Sequence, residues 1–167
     1  VCLSCYTGGQ DAAWQGSPHA ARSLACTTCH SMNASKSDTA HLKTTTEVQL
    51  CATCHKVQAA KIQRASHMPL PEGHLQCSSC HTPHGSKDAD HLLTRPAPEL
   101  CTGCHKTDQP TFQKAHMGYP VGKSDCTSCH DPHGSSQPKI LWASVHPPVA
   151  GRMCAQCHNE PGSPDAL

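Results

Sequence analysis

The sequence predicts a mostly irregular chain with short α-helices and little or no β-structure, folded around bound prosthetic groups instead of an apolar side-chain core. Two observations predict this class. Aromatic residues make up only 3% of the 167 residues, with a single Phe, and this is too little apolar side chain for an ordinary core of that length. The second observation is a five-residue motif, Cys-x-x-Cys-His, that occurs six times.

Cys-x-x-Cys-His is the attachment motif of c-type haem. Two thiols three positions apart can reach the two vinyl groups of one porphyrin, and the adjacent imidazole can then reach its iron. The predicted covalent attachment sites are Cys26, Cys29, Cys51, Cys54, Cys77, Cys80, Cys101, Cys104, Cys126, Cys129, Cys154 and Cys157. The predicted proximal iron ligands are His30, His55, His81, His105, His130 and His158. We therefore predict six c-type haems, stacked so that the haems are the core and the polypeptide wraps them.

A disulfide framework and a set of zinc sites are the competing interpretations of the 14 cysteines. A disulfide framework does not require His after the second cysteine of a pair. Adjacent Cys-His is not the usual zinc spacing, and the second pair of ligands is missing. The motif therefore favours haem over both.

A seventh pair, Cys2 and Cys5, carries Tyr6 where the other motifs have His. Three interpretations stay open for it: a seventh haem with altered ligation, a disulfide, and two unmodified thiols. Tyr is a known ligand of haem iron.

The motifs repeat in pairs, with a period of about 50 residues. This period predicts a half module with an incomplete motif at 1–18, followed by dihaem modules at 19–66, 67–115 and 116–167 that form one continuous domain. We expect the segment to be part of a longer repeat.

Secondary structure is expected to be sparse, because 14 Pro and 11 Gly interrupt the short polar segments between motifs. The segments Glu47 to Ala60, Lys61 to Ser66 and Pro98 to Lys106 are each predicted to form two or three helical turns. Helices this short depend on packing against the haems.

Nine further His are available for the distal side of the irons. His84 lies three residues after His81, a reach of about 10 Å at most, so it is expected to serve a neighbouring haem. His67 and His116 lie ten residues before a motif, within reach of their own haems. The expected distal ligands are His19 for the Cys26 haem, His41 for Cys51, His67 for Cys77, His84 for Cys101, His116 for Cys126 and His133 for Cys154. The other three, His74, His91 and His146, are interpreted first as surface or hydrogen-bonding residues, with His91 and His146 as competitors of His84 and His133.

Charge and hydropathy exclude several classes of function. The formal net charge is +1 with neutral His, and the haem propionates would make the holoprotein acidic, so a nucleic-acid partner is not expected. No stretch approaches the roughly 18 apolar residues of a membrane helix. Covalent haem attachment indicates a location outside the cytoplasm.

The paired motifs, with the segments CHTPHG, CHDPHG and LCTGCHK, resemble those of the periplasmic decahaem cytochromes of the Mtr and Dms type. This resemblance to a multihaem cytochrome c runs over most of the chain and implies a periplasmic or outer-membrane-associated electron carrier. It also implies redox partners that include an outer-membrane porin and an extracellular cytochrome. Asn33, which replaces the second His of that pattern, Tyr6 and the lower haem count depart from it. They leave open a shorter relative, a truncated chain, or a self-assembling subunit of an extracellular cytochrome filament.

Two functions follow from these sites. Irons with two His ligands can only pass electrons, which predicts an electron carrier without enzymatic activity. The alternative is a multihaem reductase, which needs one iron with an open position, and the only suspicious place for it is Cys2-Cys5-Tyr6. The sequence favours the carrier.

Overall fold

The computed structural model describes residues 2–8, 13–86 and 90–167. The α-helices in these ranges are all short: α1 (Pro18–Ala21), α2 (Cys26–Cys29), α3 (Glu47–Cys51), α4 (Lys56–Lys61), α5 (Ala97–Thr102), α6 (Pro110–Ala115) and α7 (Pro147–Ala150). Single turns of 3-10 helix lie at Cys2–Ser4, Cys77–Ser79, Asp90–Leu92, Val121–Lys123, Cys126–Ser128, Pro138–Ile140 and Cys154–Gln156.

No β-strand forms in the described ranges, where backbone pairing is limited to isolated antiparallel bridges. These bridges join His30 to Leu42, Ser66 to Ser135, His81 to Leu93 and His130 to Leu141. The predicted fold class, irregular with short helices and little β-structure, is therefore confirmed.

Local sequence explains where the helices begin. The Ser17 side chain accepts a hydrogen bond from the Ala20 N–H, and Pro18 occupies the first helical position of α1. The Thr46 side chain accepts from the Gln49 N–H in the same way, with Glu47 in the first turn of α3.

The prediction of a helix from Lys61 to Ser66 is wrong: α4 ends at Lys61. Ser66 instead exchanges main-chain hydrogen bonds with Ser135, at 3.1 Å and 2.7 Å. Its hydroxyl also accepts a hydrogen bond from the Ile140 N–H at 2.9 Å. These bonds hold Ser66 in an extended conformation, which overrides the local helical propensity. The other two predicted segments do contain helices, α3 and α4 in the first and α5 in the second.

The polypeptide buries very little of its own surface. It exposes 11459 Å², whereas a compact monomer of this length exposes about 8,000 Å². The buried apolar side chains of the described residues are Leu42, Ile62, Tyr119 and Ala166. This polypeptide has no ordinary hydrophobic core, as its composition predicts.

The chain divides into two compact units, each built on three complete motifs. The first comprises Val1–Gln63 and Met68–Pro96, and the second Arg64–His67 and Ala97–Leu167. In the first unit α3 packs against the turn at Cys77–Ser79. In the second unit α5 packs against the turns at Val121–Lys123 and Cys126–Ser128, and α7 against the turn at Cys154–Gln156. In both units a helix that carries one motif therefore contacts the turn of the next motif.

Across the described ranges, no helix is long and apolar enough to cross a lipid bilayer.

Candidate haem sites

Each complete motif forms the same backbone turn. The His N–H donates to the carbonyl oxygen of the first cysteine at 2.9 Å or 3.0 Å in all six copies. This turn gathers the two thiols and the imidazole of a motif into one short stretch, as covalent attachment of one porphyrin requires. The 14 cysteines all lie in the described residues, and no two of them form a disulfide.

The seventh pair folds in the same way. The Tyr6 N–H donates to the Cys2 carbonyl at 3.1 Å, and the Cys2–Ser4 segment is a 3-10 turn. Tyr6 itself is 57% exposed. A cavity of about 300 Å³ is lined by both Cys2 and Cys26, so residues of the first two Cys-x-x-Cys pairs border the same cavity.

In three of the six motifs the proximal imidazole is held by a main-chain carbonyl further along the chain. The Nδ1–H donates from His30 to Ala40 at 2.6 Å, from His81 to His91 at 2.9 Å and from His130 to Lys139 at 2.9 Å. A carbonyl can only accept, so this bond places the hydrogen on Nδ1 and leaves the Nε2 lone pair for a metal. Such a partner fixes the orientation of a ligating imidazole and raises its basicity. These three residues therefore fit the proximal position of a haem.

The main-chain carbonyl that accepts from each of these imidazoles lies in a loop of the same conformation. Two successive residues in each loop have positive φ, between 49° and 59°: Ala40 and His41, His91 and Leu92, Lys139 and Ile140. The loop is closed on both sides of the proximal His by main-chain bonds. In the first copy the Ser31 N–H donates to the His41 carbonyl at 2.8 Å and the Lys43 N–H donates to the Cys29 carbonyl at 3.0 Å. We call this segment the clamp loop; it follows the motifs of Cys26, Cys77 and Cys126.

The clamp loops were missed in the sequence analysis, although they leave a signal. A Leu follows the proximal His by eleven or twelve residues in each copy, and it forms the isolated bridge to that His: Leu42, Leu93 and Leu141. In the described ranges, the imidazoles of His55, His105 and His158 form no such bond to a main-chain carbonyl. The six motifs therefore form two structural classes that alternate along the chain.

Two of the sequence-predicted distal candidates belong to clamp loops. His41 and His91 both have positive φ and exposed side chains, and their carbonyls accept hydrogen bonds from Ser31 and His81. Their main chains thus support a proximal His. The other candidates expected at the surface, His74 and His146, are also exposed, and His146 precedes the first turn of α7.

In three pairs of imidazoles the distance between the ring centres is nearly the same. The ring centres are 6.0 Å apart for His30 and His84, 6.1 Å for His19 and His55, and 6.3 Å for His116 and His130. Metal–imidazole bonds are about 2 Å long, so two imidazoles that share one metal ion place their ring centres about 6 Å apart. The spacing therefore fits two axial ligands of a single iron.

Two of these pairs differ from the expected partners. His19 was assigned to the Cys26 haem and lies beside His55 of the Cys51 motif instead. His84 was assigned to the Cys101 haem and lies beside His30 of the Cys26 motif. His116 lies beside His130 of the Cys126 motif, the motif to which the sequence assigned it.

Three of the nine distal candidates donate an Nδ1 hydrogen to a main-chain carbonyl, and a fourth lies near a carboxylate. The Nδ1–H donates from His19 to the Pro83 carbonyl at 2.8 Å, from His67 to Arg64 at 2.5 Å and from His116 to Phe112 at 2.9 Å. His133 lies beside a carboxylate. Its imidazole Nδ1 is 3.8 Å from Asp131 Oδ1, and its main-chain N–H donates a hydrogen bond to the same oxygen at 3.2 Å. These contacts leave Nε2 for iron, as in the clamped proximal imidazoles.

Thiols of different motifs meet in the first unit. The interaction between the side chains of Cys51 and Cys77 raises the pKa of Cys51 and lowers the pKa of Cys77. Burial raises the pKa of Cys29, and the neighbouring Cys54 thiolate adds to the rise. Attachment points of three motifs, those at Cys26, Cys51 and Cys77, therefore lie next to one another.

A carboxylate ties two of these motifs together. The Glu47 side chain at the start of α3 accepts hydrogen bonds from the Ser78 N–H and the Ser78 hydroxyl, both at 2.8 Å. This contact joins the helix that carries Cys51 to the turn that carries Cys77. Over the described residues, no group of three or more His, Cys, Asp or Glu is arranged to hold a metal ion directly.

Two comparisons with known proteins bear on these sites. Residues 18–60, 67–110 and 119–145 match the family described as a doubled CXXCH motif, and together they cover more than half of the chain. The multiheme cytochrome MtrA of Shewanella baltica (strain OS185) is 33% identical to the chain over 86 residues. That match covers 52% of this chain and 25% of the relative, so it spans only about a quarter of the relative's length.

Proposed function

Because the chain belongs to the doubled CXXCH motif family and is an Mtr-like multihaem c-type cytochrome, we propose that it carries electrons along a row of closely spaced haems. A c-type haem supplies an iron that exchanges one electron at a time with its neighbours. The chain's own contribution is to attach, orient and space these groups.

One observation carries the proposal: helix α3, which carries Cys51, packs against the turn that begins at Cys77, although the two cysteines belong to different motifs. Porphyrins attached to two turns in contact have their edges close together. The Glu47–Ser78 contact keeps the two attachment turns in register. In the second unit α5, which carries Cys101, packs in the same way against the turn of Cys126.

The distal ligands follow from the imidazole pairs. We assign His84 to the iron of the Cys26 motif, His19 to that of Cys51 and His116 to that of Cys126, on the 6 Å spacing of each pair. We retain His67 and His133 as further proposed distal ligands. Both are half-buried, and the imidazole of each has a neighbouring acceptor.

The proposal includes a seventh haem at Cys2 and Cys5. The support for it is the Cys2–Tyr6 hydrogen bond, which repeats the turn of the six complete motifs, and the cavity that Cys2 shares with Cys26. The intact mass of the holoprotein distinguishes six attached haems from seven.

We place the carrier in the periplasm or at the outer membrane, because covalent haem attachment belongs outside the cytoplasm. Its proposed partners are other redox proteins, among them an outer-membrane porin and an extracellular cytochrome, with self-assembly into a filament as a further arrangement. This part of the proposal rests on the motif pattern and on the family.

The test is electron redistribution within the holoprotein after flash photoreduction of one haem per molecule. Replacing Cys51 and Cys54 by Ala removes a haem between the Cys26 and Cys77 motifs, and we expect redistribution to slow markedly. The matched control, Cys154→Ala with Cys157→Ala, also removes one haem but opens no gap between these motifs. Equal rates in both variants would overturn the proposal.

A further inference from the structure

Trp14 is one of two Trp residues in the chain, and it packs against two of the proposed distal ligands. The ring centres of Trp14 and His84 are 6.2 Å apart, with an angle of 65° between the planes. The ring centres of Trp14 and His19 are 6.5 Å apart, with an angle of 31° between the planes. Both distances are typical of aromatic packing. One indole therefore contacts two imidazoles that we assign to different irons.

The contact is reciprocal, because each imidazole is held by the segment that carries the other. The Nδ1–H of His19 donates to the Pro83 carbonyl at 2.8 Å, and Pro83 directly precedes His84. The imidazole of His84 in turn packs against Trp14, which lies five residues before His19. The two distal imidazoles are thus tied to each other through the main chain of one segment and the indole of the other.

The main chains of the two segments also approach each other closely. The Gly85 N–H donates to the Thr82 carbonyl at 3.2 Å and closes the turn that carries His84. A Cβ at Gly85 would collide with the carbonyl of Ala13, the residue before Trp14. Only Gly allows this approach, so the backbone on both sides is placed for the indole to meet the imidazole.

The two imidazole pairs differ in the angle between their rings. The planes of His30 and His84 are inclined by 30°, whereas those of His19 and His55 are inclined by 72°. The angle between two axial imidazoles alters the splitting of the iron d orbitals, so near-parallel and near-perpendicular pairs give different paramagnetic resonance spectra. Groups outside the ligand set fix the orientation of a ligating imidazole. An indole in contact with both His19 and His84 is placed to fix both angles.

We propose that Trp14 is a positioning residue that fixes the ring orientation of both distal imidazoles, and so sets the electronic structure of the Cys26 and Cys51 irons together. The indole N–H is a donor only, so Trp14 acts through the imidazoles and does not ligate iron itself. The inference rests on the distal ligands assigned in the proposed function.

The test is electron paramagnetic resonance of the ferric holoprotein. The signal lost in Cys26→Ala with Cys29→Ala identifies one iron, and the signal lost in Cys51→Ala with Cys54→Ala identifies the other. We expect the Cys51 iron to have the larger maximum g value, because its two imidazoles are closer to perpendicular.

Trp14→Phe and Trp14→Leu both fill the site with an apolar side chain, but only Phe keeps an aromatic ring. In Trp14→Leu both signals should broaden and their maximum g values should converge, because both imidazoles gain a wider range of angles. Trp14→Phe should stay close to the parent. The matched control is Trp142→Leu, which removes the other indole, a donor to the Thr127 carbonyl in the second unit, and should leave both signals unchanged.

Signals in Trp14→Leu that match those of the parent would overturn the inference. So would loss of a haem from Trp14→Leu, seen in the intact mass, because the indole would then act in attachment and not in orientation. His84→Met separates this inference from the ligand assignments. If His84→Met leaves every bis-imidazole iron unchanged, the assignment in the proposed function fails; if it acts while Trp14→Leu does not, only the positioning role fails.

Discussion

The imidazole of His130 donates its Nδ1 hydrogen to the carbonyl oxygen of Lys139, 2.9 Å away, in a clamp loop where Lys139 has a φ of 59°. The same bond orients His30 and His81. Hydrogen bonding of this kind makes an imidazole more basic, which stabilises ferric over ferrous iron. Haems on the clamped motifs should therefore have lower potentials than their neighbours.

Lys139→Pro tests this effect, because Pro cannot adopt a positive φ and the loop must move away from His130. We expect the midpoint potential of one haem to rise by on the order of 40 mV, the equivalent of about 1 kcal/mol for one electron. Lys139→Gly is the matched control: it favours the left-handed conformation and should leave the potential unchanged. Redox titration followed by absorption checks both. A shift of similar size in the Gly variant would contradict the assignment.

The assignment of His84 to the Cys26 haem is tested with a double-variant cycle. His84→Met should replace one bis-imidazole iron by a His/Met iron, visible in the ferric spectrum and as a raised potential. When the Cys26 haem is absent, in Cys26→Ala with Cys29→Ala, the same replacement should have no further effect.

The matched comparison removes the Cys101 haem, in Cys101→Ala with Cys104→Ala. In that background His84→Met should still change the ferric spectrum and raise one potential. The reverse result would restore the pairing expected from the sequence. His41→Met is the control for histidine replacement as such. Its exposed side chain lies in a clamp loop, so we expect an unchanged spectrum.

Glu47 links two attachment turns, and its replacement should lower the stability of the first unit. Glu47→Ala loses two hydrogen bonds to Ser78 and a favourable charge at the start of α3, which should lower the free energy of unfolding by about 1–2 kcal/mol. Ser78→Ala loses only the hydroxyl bond and should cost about half as much. Thermal unfolding of the holoproteins checks the order. Equal stability of Glu47→Ala and the parent would show that the contact contributes nothing.

Gly85 ends the turn after His84, and its φ of 137° lies in a region that other residues avoid. A Cβ at this position would meet the Ala13 carbonyl oxygen at 2.3 Å. Gly85→Ala should therefore destabilise the protein by about 3 kcal/mol. Gly73→Ala is the control, since φ is 77° there but nothing lies within 4 Å, and the cost should be about 1 kcal/mol. Similar unfolding temperatures for the two variants would contradict the steric argument.

The attachment motifs and the fold class could be predicted from sequence because they are local. The Cys-x-x-Cys-His turn depends on five consecutive residues, and the scarcity of apolar side chains is visible in the composition. Helices were predicted where α3, α4 and α5 form, whereas α1, α2, α6 and α7 were not predicted. The predicted helix from Lys61 to Ser66 does not form, because the pairing of Ser66 with Ser135 depends on a distant segment.

The arrangement of histidines was not predictable by the same means. Chain reach indicates that three residues are too few to carry His84 around the haem of His81, but it does not say which neighbouring motif His84 approaches. The clamp loops could not be predicted from the sequence either, because Ala40, His91 and Lys139 share no side-chain chemistry. Their positive φ values occur at residues that do not usually favour that conformation.

The acceptor in each clamp is a main-chain carbonyl, and this has a genetic consequence. Ala40, His91 and Lys139 perform one task with an apolar, an aromatic and a cationic side chain. Point mutations at such positions can accumulate without loss of the contact, whereas an insertion or deletion in the loop shifts the carbonyl away from its imidazole. Selection on these loops should therefore act on their length. Copies of the module can diverge in composition while each keeps the hydrogen bond from its main-chain carbonyl to the proximal histidine.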